Sequence, residues 1–350
     1  MKKRIFSCLM ALLLLLTLPL TASCGRPRAH TVTSFDYFDT VTTVIGYETR
    51  ESDFAQVSAE ILKELEEYHR LFDIYQHYEG INNLAAVNDL QNGVHPTVEV
   101  DRRIIDLLLY AREVYTLTEG KVNIAMGSVL SLWHDCREAG LRDPKAAALP
   151  PMDALVEAAA HTSIEDILID EARSTVTLAD PAMRLDVGAI AKGHAVEMVA
   201  RALESRGVTG YLLNVGGTVR AIGVKTEREP WLAGIEHPDK DAQTPYLHTM
   251  HLTREALVTS GAYLRTYTVD GTDYHHIIDP DTLMPAQGYL SVSVVCTDAA
   301  AGDALSTALF CMSPEQGLAL ISSLPDTEAM WVMADGTRQY SDGFAVYVAQ

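Results

Sequence analysis

Asp303-Ala304-Leu305-Ser306-Thr307 is the first of three short segments whose residue types and spacing could do chemistry. On a helix, Asp303 and Thr307 stand four apart and stack on one face, with Ser306 beside them. A carboxylate and a hydroxyl on one ridge are hard oxygen donors, suited to Mg2+ and poorly suited to soft metals. Helix N-termini also carry Asp, Ser and Thr simply as caps, and capping stands as the alternative. The second segment is Leu185-Asp186-Val187-Gly188-Ala189-Ile190-Ala191-Lys192-Gly193-His194, a strand turning into a helix. Its glycines permit a sharp turn, and the new helix N-terminus offers unpaired N–H groups and a positive dipole end to a phosphate. The G-x-x-x-x-G-K-[ST] spacing of a P-loop is absent, and a connection whose glycines serve packing is the plainer alternative. The third segment is Tyr274-His275-His276-Ile277-Ile278-Asp279-Pro280. A histidine can act as general base toward a hydroxyl nucleophile. Adjacent histidines on an extended chain point to opposite faces, so at most one can face a site. For either one, a hydrogen-bonded structural role is the alternative.

The elements that must position these segments are legible in outline. Residues 37–45 are rich in β-branched and aromatic side chains, a strand signal. Phe54, Val57, Ile61, Leu62, Leu65 and Leu71 recur at helical spacing over residues 51–72. An asparagine-rich loop follows over 75–92, then a second helix over 100–118. Residues 123–133 are small and apolar, and residues 135–160, with the Pro150-Pro151 break, read as an insertion or mobile excursion. Short strands are expected at 167–169, 176–178 and 185–187, and a helix at 191–205. A strand over 210–217 ends in Gly216-Gly217, a turn signal. Further strands are expected at 232–235, 249–252, 256–259 and 289–296. Helices at 299–312 and 314–322 and two closing strands complete the chain. Many strands follow one another without helical crossovers. The expected class is therefore α+β, or mixed α/β, with a largely antiparallel sheet packed against helices.

Composition narrows the partners. At 48% hydrophobic and 21% charged, the 350-residue chain reads as globular. Its formal charge of −20, with no basic stripe, excludes nucleic acid as a partner. A phosphate-bearing ligand would need a bound cation or a helix N-terminus here. Lys2, Lys3 and Arg4 precede an apolar run from Ile5 to Leu20, too short for a comfortable membrane span and typical of a secretory leader. The run ends in Leu20-Thr21-Ala22-Ser23-Cys24-Gly25. Small residues before a cysteine and glycine after it resemble the lipobox of bacterial lipoproteins, with Thr21 where leucine is usual. Residues 1–23 are thus expected to be a lipoprotein-type signal peptide, Cys24 the lipidated residue, 24–33 a tether and 34–350 one domain. An ordinary cleaved leader is the alternative. Either way the expected location is extracytoplasmic, with lipidation anchoring the chain to the bacterial membrane. Losing residues 1–23 removes only those three cations, taking the charge from −20 to −23. Cys136, Cys296 and Cys311 then remain. They make neither a disulfide framework nor a C-x-x-C zinc pair.

Taken in order, several segments resemble the ApbE-type FAD:protein FMN transferase family. They are Phe38-Asp39-Thr40, Tyr75, Ala125-Met126-Gly127, Asp186 to Gly193, Asn214-Val215-Gly216-Gly217, Ser260-Gly261, His276 to Pro280 and Asp303 to Thr307. The resemblance spans roughly residues 35 to 325, and its most specific parts are Asp186 to Gly193 and His275 to Pro280. Two positions depart from the family pattern. Ala262 stands where an acidic or amide residue is common, and Leu283-Met284-Pro285 replaces a glycine and an aromatic before proline.

The resemblance implies a site. Mg2+ would be held by Asp303, Thr307 and the carbonyl oxygen of Ala189, with Ser306 near them. FAD, as substrate, would touch Phe38, Tyr75, Ala125, Met126, Gly127, Asp186, Lys192 and Ile278. His276 would be the base that deprotonates a threonine or serine hydroxyl of an acceptor protein. That oxygen would attack the FMN-side phosphorus and release AMP. The implied acceptor is an extracytoplasmic or membrane redox protein. Two rivals remain: an FAD pyrophosphatase giving FMN and AMP, and a non-catalytic FAD-binding lipoprotein. The second has no use for a base.

Overall fold

The computed structural model describes residues 26–263 and 265–349. The expected leader and Cys24 lie outside the described residues. The chain opens with a hairpin of β1 (Arg28–Tyr37) and β2 (Thr40–Glu48). Its two-residue turn, Phe38-Asp39, has φ of 54° and 50°, the left-handed conformation that tight hairpins need. The expected tether is therefore corrected: its second part, from Arg28, is strand. Thr31, Val32 and Thr33 pair with Ile45, Val44 and Thr43, and Val32 packs on the core.

Helix α1 (Glu51–Phe72) buries Phe54, Ile61, Leu65, Tyr68, Leu71 and Phe72 on one stripe. Glu51 and Asp53 in its first turn and His69 and Arg70 in its last complement the helix dipole. The short α2 (Leu84–Asn88), β3 (Val98–Glu99) and α3 (Arg102–Leu117) follow. Next come α4 (Gly127–Arg142) and α5 (Met152–Ala159). The insertion expected over 135–160 is corrected here. It holds the second half of α4 and all of α5, with Pro151 as the latter's N-cap. Trp133 and Leu155 bury themselves with Met126 and Ile278, so this region belongs to the folded body.

Strands β4 (Ile167–Asp170) and β5 (Thr175–Leu178) form a small sheet with β3. The strand expected over Leu185–Val187 is not one. Arg184 makes a single parallel bridge to Met126, and the stretch is then tied down by Asp186 N–H donating to Ile124 O at 2.8 Å. Helix α6 (Ala191–Ser205) leads into β6 (Tyr211–Val215) and β7 (Thr218–Ile222). A hairpin of β8 (Trp231–Glu236) and β9 (Tyr246–Leu252) comes next, then β10 (Ala256–Gly261) and the small hairpin of β11 (Tyr267–Val269) and β12 (Thr272–Tyr274). The chain closes with β13 (Tyr289–Cys296), α7 (Ala299–Phe310), α8 (Pro314–Ser323), β14 (Glu328–Met333) and β15 (Arg338–Tyr340).

The main sheet has eight strands in the order β1-β2-β6-β7-β10-β13-β14-β15. Every adjacent pair in it is antiparallel. Alternation along its strands divides the core in two. Tyr211, Leu213, Val215 and Val258 meet α1, α3, α6 and α7 on one face. Leu212, Ala221, Leu257 and Val295 meet the β8–β9 hairpin and Phe344 on the other. The fold is α+β, as expected. It sets α6 and α7 side by side on the sheet, and the site begins where those two helices touch.

Candidate active site

Helix α7 is buried along most of its length, and Asp298 caps it by accepting from Ala300 N and Ala301 N at 2.8 and 3.1 Å. Asp303, the fifth residue of the helix, therefore caps nothing. Its carboxylate, 6% exposed, reaches across to α6. Lys192 Nζ lies 2.6 Å from Oδ1, and Gly193 N–H donates to Oδ2 at 2.7 Å. Such an approach needs glycine. A Cβ on Gly193 would stand 2.4 Å from Asp303 Cβ and 2.5 Å from Ala299 O. The two segments singled out in the sequence are thus in direct contact.

The same bond has a second effect. Gly193 N–H belongs to the first turn of α6, whose amides have no acceptor within the helix, and Asp303 satisfies it. Ala189 stands just ahead of Ile190, the N-cap of that helix. One turn along α7, Thr307 Oγ1 donates to Asp303 O at 3.4 Å, which leaves its lone pairs free to accept. A carboxylate, a hydroxyl and a backbone carbonyl are hard oxygen donors of the kind that fits Mg2+. Among the described residues no three His, Cys, Asp or Glu side chains cluster as a metal site, and this mixed oxygen set is of a different kind. Ser306 is fully buried, with its hydroxyl 2.9 Å from Ser260 Oγ and 3.0 Å from Asp303 O. Those bonds tie the ridge to β10.

Lys192 also donates to Thr218 Oγ1. Thr218 is buried directly after Gly216 and Gly217, whose φ values of 55° and 87° make the turn. Asn214 Oδ1 closes that turn by accepting from Gly217 N–H at 3.1 Å. The ammonium therefore pairs with Asp303 in this structure.

A second group of residues assembles around Asp186. Gly127 N–H donates to Arg184 O at 3.0 Å, and a Cβ on Gly127 would meet that oxygen at 2.5 Å. Ala125, Met126 and Gly127 thus lie against the stretch that carries Asp186. Asn88 pins it further, bonding Leu185 N and O through its side chain at 2.7 and 3.0 Å. Burial holds the Asp186 carboxyl above its ordinary range, against the pull of Gly188 N–H, His134, Arg265 and Arg184. Tyr75 is 59% exposed and stacks on His134 of α4, ring centroids 5.3 Å apart. Partial burial, then the charge of Asp186, pushes its hydroxyl up to about 12, while Arg137 and Arg265 act in the opposite direction. Ile278 packs with Met126 and Trp133. Phe38 sits at the β1–β2 turn, edge-on to His69 at 5.5 Å.

The two histidines separate as expected. His275 is buried: its Nε2–H donates to Ala286 O at 2.8 Å and its Nδ1 accepts from Ile277 N–H at 3.2 Å. Burial pushes its pKa down. His276 is exposed, at a bend just after β12. Lys121 holds the following turn by pairing with Asp279 and Asp281 at 2.9 and 2.6 Å. Sequence reading missed Thr218, Asn88, His134, Lys121 and His69. Each acts on a residue far away in the chain, and only the asparagine-rich loop hinted at one of them.

The ApbE family model matches residues 38–331 of this chain. The FAD:protein FMN transferase of Klebsiella pneumoniae (strain 342) is 32% identical over 270 residues, covering 75% of this chain and 81% of that protein. That of Treponema pallidum (strain Nichols) is 33% identical over 304 residues, covering 82% and 81%. Among solved structures, the ApbE protein of Thermotoga maritima MSB8 superposes with a TM-score of 0.79 at 27% identity, over 92% of this chain and 100% of that one. The flavin transferase ApbE of Vibrio cholerae gives 0.74 at 26% identity, over 91% and 100%.

Proposed function

The chain belongs to the ApbE family, and from that premise we propose that it splits FAD and transfers the FMN half to a hydroxyl of a partner protein, releasing AMP. The observation that carries this reading is the junction of Gly193 and Asp303. It sets the buried Asp303 carboxylate against the first turn of α6, four residues past Ala189 and one turn before Thr307, inside a chain of charge −20 that otherwise repels phosphates. Asp303, Thr307 and the Ala189 carbonyl would hold Mg2+. When bound, it supplies positive charge to the pyrophosphate and to the departing AMP.

The chain's own residues have the remaining roles. Phe38, Tyr75, Met126 and Ile278 offer aromatic and apolar surface to a flavin ring. Asp186, its carboxyl raised by burial, offers that ring a polar partner. Lys192 lies close enough to exchange Asp303 for a phosphate oxygen. His276 takes the proton from an incoming threonine or serine hydroxyl as its oxygen bonds to the FMN-side phosphorus. The bond from that phosphorus to the bridging oxygen breaks, and AMP leaves with the electron pair. We assign the same chain a lipid anchor at Cys24 and an extracytoplasmic or membrane redox protein as acceptor, on the leader sequence and the family resemblance.

Incubation with FAD, Mg2+ and a flavin-acceptor domain tests the reading. Fluorescence that stays with the acceptor on a denaturing gel is the expected result. Asp303→Ala is expected to abolish both transfer and any FAD cleavage. His276→Ala should lower transfer by about 10²–10⁴-fold, the usual range for a general base. Wild-type labelling by Asp303→Ala would overturn the metal assignment.

A further inference from the structure

Two aromatic residues in this site, Phe38 and Tyr75, come from different loops, and the structure joins them through a chain of hydrogen bonds that no part of the reaction requires. Phe38 N–H donates to His69 Nδ1 at 3.3 Å. Tyr78 Oη lies 3.4 Å from His69 Nε2 and donates to Asp73 Oδ2 at 2.8 Å. The other oxygen, Asp73 Oδ1, accepts from the backbone N–H of Tyr75 at 2.7 Å and of Gln76 at 3.0 Å. The donors and acceptors fix every proton in the series. A backbone N–H can only donate, so His69 Nδ1 must accept. A carboxylate can only accept, so the Tyr78 proton points to Asp73 and its oxygen must accept from His69 Nε2–H. The Arg70 guanidinium lies over the Tyr78 ring, 5.6 Å from its centroid.

We propose that His69, Tyr78 and Asp73 form a relay that sets the spacing of the Phe38 and Tyr75 walls, with His69 as the positioning residue. Phe38 and Asp39 have left-handed φ of 54° and 50° without being glycine, a conformation that persists only where neighbours hold it. His69 supplies that hold from the last turn of α1, both by its bond to Phe38 N–H and by its edge-on contact with the Phe38 ring. The inference rests on the reading that FAD occupies this site. It adds that affinity for the flavin depends on His69, which holds Phe38 by its backbone N–H and by the edge of its ring.

The geometry makes the test selective. An asparagine amide oxygen falls near the place of a histidine Nδ1, whereas glutamine places its own nearer Nε2. FAD binding to the mature chain, with Mg2+ present, is followed by quenching of flavin fluorescence, alongside thermal melting of each variant. His69→Gln and His69→Ala are expected to weaken FAD binding tenfold or more, and His69→Asn to recover most of that loss. Tyr78→Phe removes one oxygen while keeping the ring, and should weaken binding several-fold. Combined with His69→Ala it should add little, since the two break one chain. Asn no better than Gln, in variants that melt like the parent, would overturn the proposal, and so would full additivity of the pair. Phe38→Ala serves as the reference. If it leaves FAD affinity unchanged, the placement of the flavin fails; if it weakens binding while the His69 variants do not, the relay alone fails.

Discussion

Gly193→Ala tests most directly whether the contact between α6 and α7 sets the site. The added Cβ would lie 2.4 Å from Asp303 Cβ and 2.5 Å from Ala299 O. Non-bonded carbons settle at about 3.5–4.0 Å, so the helices must part by roughly 1 Å. Neither obstacle can swing away, because one is the root of a side chain and the other is backbone. Overpacking of this kind costs about 1–3 kcal/mol, and the better helix propensity of alanine returns up to ~1 kcal/mol. With the full return the net loss is about 0–2 kcal/mol, which lowers Tm by no more than a few degrees and leaves nearly all of a domain with ordinary stability folded. Catalysis is less forgiving, since a 1 Å displacement of a reacting arrangement can cost about 10²-fold. The expected result is therefore a small fall in Tm with a fall in FMN transfer of about 100-fold. Gly302→Ala is the control. Its Cβ would press the same helix against Val258 Cγ2 at 2.8 Å and Cys296 Sγ at 3.2 Å, toward the sheet and away from Lys192. It should cost comparable stability and less than tenfold in rate. If Gly193→Ala transfers at the wild-type rate, or if the two variants lose activity equally, the contact does not position Asp303.

Acid sensitivity should trace in part to His194. It is buried between Phe72 and Tyr110, its Nδ1 has no hydrogen-bond partner among the described residues, and burial pushes its pKa from 6.5 down to about 4. Above pH 6.5 the ring is neutral folded or unfolded. Between 6.5 and 4 only the unfolded chain takes the proton, so stability falls by up to about 3 kcal/mol and levels off below 4. His194→Leu should flatten Tm against pH across that window, and an unchanged slope would refute the assignment. Cys24→Ser should move the protein from the membrane to the soluble fraction and abolish incorporation of labelled fatty acid. Persistent labelling would place the lipid elsewhere.

Regular periodicity made parts of the fold legible. Residues 51–72 and 191–205 were readable as helices from apolar spacing, and α1 and α6 have those bounds. Helix α4 was not, because Ala125-Met126-Gly127 reads as loop, and the helix gains its burial from Ile278 and Tyr267, more than a hundred residues away. The strand β7 was hidden for a related reason. Its buried polar residues, Thr218 and Arg220, find their charged partners on other elements: Lys192 and Asp303 for the first, Glu197 and Glu204 for the second. At the site, motif residues were visible singly, while their partners were not. Lys192 and Asp303 stand 111 positions apart, and nothing in the chain's local pattern encodes that pairing.

The division of the site between rigid and loop-borne parts fits the chemistry assigned to it. One turn beyond Gly193, Glu197 is buried and bonded to Arg220 at 2.9 Å, and it accepts from Ala299 N–H at 2.8 Å. Burial alone would raise the Glu197 carboxyl, yet the Arg220 hydrogen bond draws it below its ordinary range. Arg201 extends the network to Asp298, the cap of α7, at 2.7 Å. A buried ion network of this kind adds little net stability, because desolvation offsets most of the attraction. Its geometry is exacting, though, and α7 cannot slide along α6 without breaking bonds at both Ala299 and Asp298. Asp303 and Thr307, the side chains proposed to hold Mg2+, therefore ride on a helix locked in register with α6, where a fixed arrangement serves phosphoryl transfer best. His276 and the aromatic residues at 38 and 75 instead stand on turns, each held by a few hydrogen bonds. A reaction that must admit a second protein needs that asymmetry: the phosphate stays fixed while the parts around the flavin and the incoming hydroxyl can adjust.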